Sequence, residues 1–114
     1  MRRLSRSEWE LMLLCWKLGT PTAREVHAEA AKGPRDRDYR TVLATLNNIA
    51  AKGQLRVEKC AGPRNIPTNR YVPTLSFRDG IAGRIREFLR EDLGGDPEAI
   101  ALLREAITPS RDGV

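Results

Sequence analysis

The first helix is predicted by apolar residues that recur at helical spacing near the start of the chain. Ser5 and Glu8 have the spacing of a capping box, and Gly19 stands where a helix commonly ends. Leu4, just before the cap, is expected to pack on Trp9. Two Trp on one short helix are expected to fill a core rather than to hold a ligand. The expected inward stripe is Trp9, Met12, Leu13 and Trp16, widened by Leu11, Leu14, Cys15 and Leu18.

Two more helices are predicted after short breaks. Thr22 and Glu25 form a second capping box, before a helix that runs to about Lys32. A loop rich in Gly, Pro and charge then leads to a third helix, Tyr39 to Lys52, which Asp38 is placed to cap. The expected inward positions are Ala23, Val26, His27 and Ala30 in the second helix, and Val42, Leu46 and Ile49 in the third, with Thr45 and Ala50 beside them.

The outward face of the third helix has an unusual composition. No Asp or Glu occurs between Tyr39 and Lys52, whereas solvated helix faces ordinarily mix Glu with Lys. Arg, Asn and Thr hydrogen-bond base edges and phosphates, and Ala and Thr methyl groups contact thymine methyls. This face is predicted to bind nucleic acid, and a helix that is neutral by chance is the alternative. The face comprises Arg40, Thr41, Ala44, Asn47, Asn48 and Ala51.

A β-hairpin is predicted next. Residues Leu55–Lys59 alternate apolar and charged side chains, the pattern of a half-buried strand. Residues 61–69 are dense in turn formers, and Arg70–Val72 is a short returning strand that Pro73 ends. The hairpin is predicted to be a basic flap, and a plain solvated hairpin is the alternative. Its cations are Arg56, Lys59, Arg64 and Arg70.

The last third of the chain is predicted to form two further helices. Ser76 and Asp79 pair as a weaker cap before the first of them. Gly94-Gly95 interrupts the pattern, and Asp96 then caps a last helix that has Pro97 at its first position. The apolar stripes are Phe77, Ile81, Ile85, Phe88, Leu89 and Leu93 in the first helix, and Ile100, Leu103 and Ile107, extended by Leu102, in the second.

Charge is unevenly distributed along the 114 residues, whose formal net charge is +5. Residues 1–73 carry 14 Lys and Arg against 7 Asp and Glu, a net charge of +7, and residues 74–114 carry 6 against 8, a net charge of −2. A basic part suits a polyanion, and a mildly acidic part suits protein contacts or solvation. We therefore predict a DNA-binding domain in residues 1–74 and a helical dimerisation region in residues 75–114.

Several classes of protein are disfavoured. The longest apolar run, residues 11–16, is too short to span a bilayer, and no signal-peptide pattern opens the chain, so the expected location is the cytoplasm. Cys15 and Cys60 form no metal-ligand cluster, and His27 is the only histidine. No cofactor, metal site or catalytic centre is predicted, and we expect a protein that is not an enzyme. Cys60, beside the flap, leaves open a thiol-based redox or metal-responsive regulator.

The order of elements predicts the architecture. Three helices followed by a hairpin is the order of a winged helix-turn-helix, a mainly α fold with a small β-hairpin. The third helix would enter the major groove, and the hairpin would be the wing. The apolar stripes of the tail predict a twofold homodimer through residues 75–107 that reads a pseudopalindromic operator in double-stranded DNA. A winged helix that binds proteins and not DNA is the alternative from another class.

Six stretches carry a resemblance to a known family. They are Leu4–Met12, Thr22–His27, Tyr39–Val42, Lys52–Leu55, Arg70–Tyr71 and Leu93–Asp96. Over roughly residues 4–107 the chain resembles the penicillinase-repressor (BlaI/MecI/CopY) family of transcriptional regulators. The resemblance implies a bacterial homodimeric repressor that blocks a promoter. It further implies that the recognition helix contacts operator bases, that the wing contacts the DNA backbone and that the last helices form the dimer.

Some features of the family are not matched. The tail has no Cys, which disfavours the copper-responsive branch, and residues 99–104 contain no Asn-Phe bond like the one cleaved in the antibiotic-responsive branch. A signal-dependent protease remains a partner that the resemblance implies. Leu43 stands where family members often carry Lys or Arg, and Asn48 stands where they often carry Arg. Residues 62–68 resemble a wing loop that is longer than usual for the family.

The predicted DNA contacts are Tyr39, Arg40, Thr41, Ala44, Asn47, Asn48, Lys59, Arg64 and Arg70. The predicted dimer contacts are Phe77, Ile81, Ile85, Phe88, Leu89, Leu93, Ile100 and Leu103.

Overall fold

The structure, a computed structural model, describes residues 3–108. Within that range it contains five α-helices and one antiparallel pair of strands, so the predicted mainly α fold with a small hairpin is confirmed. The chain divides into two compact units, with the boundary between Ser76 and Phe77. The elements are α1 (Arg6–Leu18), α2 (Ala23–Ala30), α3 (Tyr39–Ala51), β1 (Leu55–Ala61), β2 (Pro67–Pro73), α4 (Phe77–Glu87) and α5 (Pro97–Ile107).

Helix α1 has the predicted ends and a different buried face. The Ser5 hydroxyl accepts a hydrogen bond from the Glu8 N–H at 3.2 Å, and the Glu8 carboxylate accepts one from the Ser5 N–H at 2.7 Å. Trp9 and Trp16 were expected at the centre of the buried face, but both are only half-buried. Trp16 Nε1 donates to the Leu75 carbonyl at 3.0 Å, which places the indole at the rim, where its polar N–H finds a partner. The buried positions of α1 are Glu8, Leu11, Met12 and Cys15.

Helices α2 and α3 complete the core. The side chains of Thr22 and Asp38 cap α2 and α3 as predicted, by accepting from the N–H groups of Glu25 and Thr41. Helix α2 ends at Ala30, two residues earlier than expected, because tighter turns replace helical hydrogen bonds there. The buried apolar core comprises Leu4, Leu11, Met12, Cys15, Ala23, Val26, Val42, Leu46, Ile49, Leu55 and Tyr71.

The hairpin is longer and more exposed than the sequence predicts. Its register runs from Leu55 opposite Pro73 to Ala61 opposite Pro67, so residues 67 and 68 belong to a strand and the turn needs only residues 62–66. The predicted turn over residues 61–69 was therefore too long. The expected half-buried strand was also wrong, because Leu55 is the only buried residue of β1 and Val57 is 40% exposed.

A glycine is required where the wing turns. A Cβ atom on Gly62 would lie 2.5 Å from Thr68 Oγ1 and 2.7 Å from the Ile66 carbonyl oxygen, much closer than real Cβ contacts. Arg64 and Asn65 have left-handed backbone conformations, with φ of 58° and 60°. Arg64 therefore lies at the tip of the wing in a backbone conformation that residues other than glycine seldom adopt.

The second unit, taken by itself, is a helical pair with an irregular joint. After Glu87, α4 continues as a wider turn over residues 88–92, in which the Leu93 N–H donates to the Phe88 carbonyl at 3.2 Å. Regular helical spacing up to Leu93 was therefore an incorrect expectation, since the hydrogen bond of this π-type turn joins residues five apart and not four. Asp96 caps α5 by accepting from the Glu98 N–H at 3.2 Å, as predicted. No helix in residues 3–108 has the length and apolarity needed to cross a membrane.

Candidate nucleic-acid interface

The outward face of α3 is an exposed surface of the first unit. Val42, Leu46 and Ile49 are buried, which turns the opposite side of the helix to solvent. No side chain from residue 39 to residue 52 is acidic. The exposed positions are Arg40, Thr41, Ala44, Asn47, Asn48 and Ala51. The six residues predicted for this face are therefore brought together on one accessible ridge, called the α3 ridge below.

Arg40 is the cation of the α3 ridge. It is exposed, and within residues 3–108 its side chain forms no hydrogen bond or ion pair. The nearby carboxylate of Asp38 is already used as the cap of α3, since it accepts from the Thr41 N–H at 2.7 Å. That backbone hydrogen bond lowers the pKa of Asp38 from its usual value. The guanidinium of Arg40 is therefore available to an external anion or base.

Tyr39 is less accessible than the other predicted contacts. It is half-buried at the first position of α3. The Arg24 guanidinium carbon lies 5.3 Å from the centre of its ring, and the His27 ring packs against it edge-on at 6.1 Å. Tyr39 therefore joins α3 to α2, and Arg24, which sequence reasoning missed, is an exposed cation beside it. Proximity across two helices carries no signal in a single sequence.

The loop between α2 and α3 is tied to α1. The Arg37 guanidinium, only 7% exposed, forms an ion pair with the Glu10 carboxylate, and Arg35 approaches the same carboxylate at 3.6 Å. His27 Nε2 lies 3.0 Å from the Arg37 carbonyl oxygen. His27 is thus a structural residue of the helix-turn-helix. Together these contacts hold the long turn in place and so position the start of α3.

The four cations of the wing divide into two classes. Lys59 and Arg64 are exposed and form no ion pair within the described residues. Arg56 pairs with Glu58 at 2.7 Å. Arg70 donates to the Thr20 carbonyl at 2.8 Å and to Glu25 Oε1 at 3.2 Å. Two of the predicted wing contacts are therefore accessible, whereas Arg70 holds the base of the wing to the start of α2.

A groove of about 650 Å³ separates the wing from α2 and α3. Arg24, Tyr39 and Leu43 line its helical wall, and Ile66 is among the wing residues opposite. The Glu25 carboxylate also lines it; the Thr22 N–H and the guanidinium of Arg70 lower the pKa of that carboxyl. Leu43 gives this groove an apolar patch beside the α3 ridge.

The fold and the α3 ridge define a winged helix-turn-helix whose third helix has an exposed face without a carboxylate. The family model described as penicillinase repressor matches residues 4–109. The chain belongs to the penicillinase repressor family, and the resemblance stated from its sequence is confirmed. It is therefore a DNA-binding transcriptional repressor by family and, as expected, not an enzyme. No curated protein matches the chain at a significant level.

Proposed function

We propose that the protein is a homodimeric repressor that binds a pseudopalindromic operator and blocks a promoter. The α3 ridge carries this proposal, because it joins an unpaired arginine, two amides and small methyl-bearing side chains on one exposed face without a carboxylate. Such a helix fits the major groove, where amides and arginine read base edges. Because the ridge carries no carboxylate, it would place no negative charge of its own against the DNA phosphates.

The proposed contacts follow from accessibility. Arg40 pairs with a base edge near the start of α3, and Thr41, Ala44 and Asn48 lie against neighbouring bases or phosphates. Lys59 and Arg64 contact phosphates from the wing, where sequence is not read directly. Tyr39 and Arg70, whose side chains are engaged with α2, orient the reading surface instead.

The second unit supports the proposed dimer. Phe77 is 55% exposed, Ile85 is 50% exposed and Phe88 is 40% exposed in the single chain. Exposed apolar side chains this dense on a short helical unit are favourable to bury against an equivalent surface, and a twofold axis supplies that surface from a second copy. The proposed interface also includes Ile81, Leu89, Leu93, Ile100 and Leu103, which are half-buried in the single chain.

The test is nuclease footprinting of the purified full-length protein on DNA upstream of its own gene, at a stated salt concentration. We expect protection of two half-sites related by twofold symmetry. Arg40→Ala should weaken binding and change base preference. Arg64→Ala should weaken binding to every sequence alike and flatten the slope of log affinity against log salt by about one unit. Unchanged operator affinity in Arg40→Ala would refute the assignment of α3.

The same experiment separates the remaining alternatives. A protein-interaction module would bind no DNA even at low salt, where nonspecific binding is strongest. The Cys60 thiol of the wild type contacts the Thr68 carbonyl oxygen at 3.5 Å. A thiol-based regulator would lose its response to an oxidant when this thiol is removed in Cys60→Ser. Release by a signal-dependent protease predicts that cleavage within the second unit lowers operator affinity by separating the two copies.

A further inference from the structure

One hydrogen bond joins the α3 ridge to the interior of the protein. The Tyr71 hydroxyl of β2 donates to Asn47 Oδ1 at 2.9 Å. Tyr71 is fully buried, and its backbone N–H donates to the Pro21 carbonyl at 2.8 Å. Both the ring and the strand that carries it are therefore held in place, and the hydroxyl is a fixed donor.

This contact decides which way the Asn47 amide faces. The oxygen and the nitrogen of a carboxamide diverge from the same carbon, so an oxygen anchored at Tyr71 leaves the –NH₂ group directed elsewhere. Asn47 is exposed and shares the outward side of α3 with Arg40 and Ala44. Burial raises the pKa of Tyr71, so its hydroxyl keeps its proton and its donor role at neutral pH. Asn47 therefore presents donors to whatever lies against the ridge.

Resting on the proposed role of α3, we infer that Asn47 is a specificity-determining residue that reads acceptor atoms, and that Tyr71 is the positioning residue that imposes this reading. In the major groove guanine presents two acceptors, N7 and O6, and thymine presents O4, whereas the single acceptor of adenine, N7, lies beside its N6 amino donor. The familiar pairing of Asn with adenine uses the amide oxygen and nitrogen together. With its oxygen directed to Tyr71, Asn47 offers no acceptor to the adenine N6 amino group, so it selects guanine or thymine over adenine at one base pair of each half-site.

Asn48 provides the matched comparison. It is the next residue of α3, it has the same side chain, and it is exposed. Within residues 3–108 its side-chain amide forms no hydrogen bond. Asn48 is therefore free to present oxygen and nitrogen together, and it is expected to read a different base pair without any dependence on Tyr71.

The experiment enriches a randomised duplex DNA library with the full-length wild type, Tyr71→Phe, Asn47→Ala and Asn48→Ala, and sequences the bound pools. Asn47→Ala should reduce discrimination at one base pair of each half-site by about fivefold or more. Tyr71→Phe keeps the buried ring and should admit adenine at that same base pair. Asn48→Ala should change a different base pair. In Tyr71→Phe/Asn47→Ala, the loss should equal that of Asn47→Ala alone.

A second measurement does not depend on the folding of Tyr71→Phe. The wild type is titrated with enriched duplexes that carry 7-deazaguanine or 4-thiothymine at the base pair assigned to Asn47, since these bases lack or weaken the acceptor. Affinity should fall by about fivefold for the wild type and change little for Asn47→Ala.

Three results would overturn the inference. They are an unchanged preference in folded Tyr71→Phe, equal weakening of all sequences by Asn47→Ala, and a wild-type preference for adenine or cytosine at the Asn47 base pair. A wild type that enriches no motif at all refutes the proposed function itself. A motif that Asn47→Ala leaves unchanged refutes only the reading by Asn47.

Discussion

The two units of the chain differ in how they treat apolar side chains. Among residues 3–76, eleven buried residues form the hydrophobic core of the first unit, and they come from all three helices, from both strands of the wing and from Leu4. Among residues 77–108 of the second unit only Gly80 is buried, and the apolar side chains of Leu102 and Ile107 are 59% and 70% exposed. The first unit therefore has the core that its stability requires, whereas the second exposes the surface that association would cover.

The largest effect is expected from opening the core of the first unit. Leu46→Ala removes a fully buried side chain and leaves a cavity, so the free energy of unfolding should fall by about 3 kcal/mol. The measurement is urea unfolding of the full chain, followed by circular dichroism. Leu102→Ala, which removes the same atoms from an exposed position, is the control. Equal losses in the two variants would contradict the contrast between the units.

The next effect concerns association. Phe88→Asp puts a charge in the proposed interface and should weaken the dimer by about 2 kcal/mol, measured as the dissociation constant in sedimentation equilibrium. Helix content should be unchanged, because Phe88 is already 40% exposed in the single chain. Val57→Asp makes a comparable change at a wing position that is also 40% exposed, and it should leave association unaltered. A dimer as stable as the wild type in Phe88→Asp would refute the proposed interface.

A smaller effect separates the two classes of wing cation. Arg70→Ala removes the link to Thr20 and Glu25, so unfolding should become easier by up to about 1 kcal/mol, the range of exposed ion pairs. Lys59→Ala should leave stability unchanged and reduce the salt slope of DNA binding by about one unit. Thermal unfolding and DNA titration across salt concentrations measure both. If Arg70→Ala reduced the salt slope of DNA binding without lowering stability, Arg70 would instead be a phosphate contact.

The smallest effect is a pH dependence that arises between α1 and α3. Burial raises the pKa of Glu8, but hydrogen bonds from Lys52, 2.6 Å away, and from Ser5 outweigh it and leave the pKa below its usual value of 4.5. Stability from this carboxylate is therefore complete above that value and is lost as the pH falls through the lower pKa of the folded state. Glu8→Gln should lose stability at neutral pH and flatten this acid dependence. An unaltered acid profile in urea unfolding would show that Glu8 contributes nothing to it.

Local signals predicted the helices well. The caps at Ser5, Thr22 and Asp38 form as expected, because a capping hydrogen bond joins residues that are near in sequence. The inward stripe of α3 was also correct, since a helix buried on one side follows its own period. The wider turn after α4 gave no such signal, because its apolar spacing also fits an ordinary helix.

The candidate site was predicted in part for the same reason. One helix period placed Arg40, Ala44 and Asn48 on a common face, and all three are exposed. The hydrogen bonds of Asn47 and Arg70 could not be predicted, because their partners lie 24 and 45 or more residues away in the chain. Which cations are free is a property of contacts between elements.

By itself the sequence determined the order of elements, their caps and the carboxylate-free character of one helix face, since each depends on residues within a few positions of one another. Tertiary structure alone decided that Trp16 lies at the rim of the core, that Arg70 anchors the wing and that Tyr71 orients Asn47. Those outcomes depend on which distant side chains meet, because a hydrogen-bond donor goes to whatever acceptor the packed elements bring within reach.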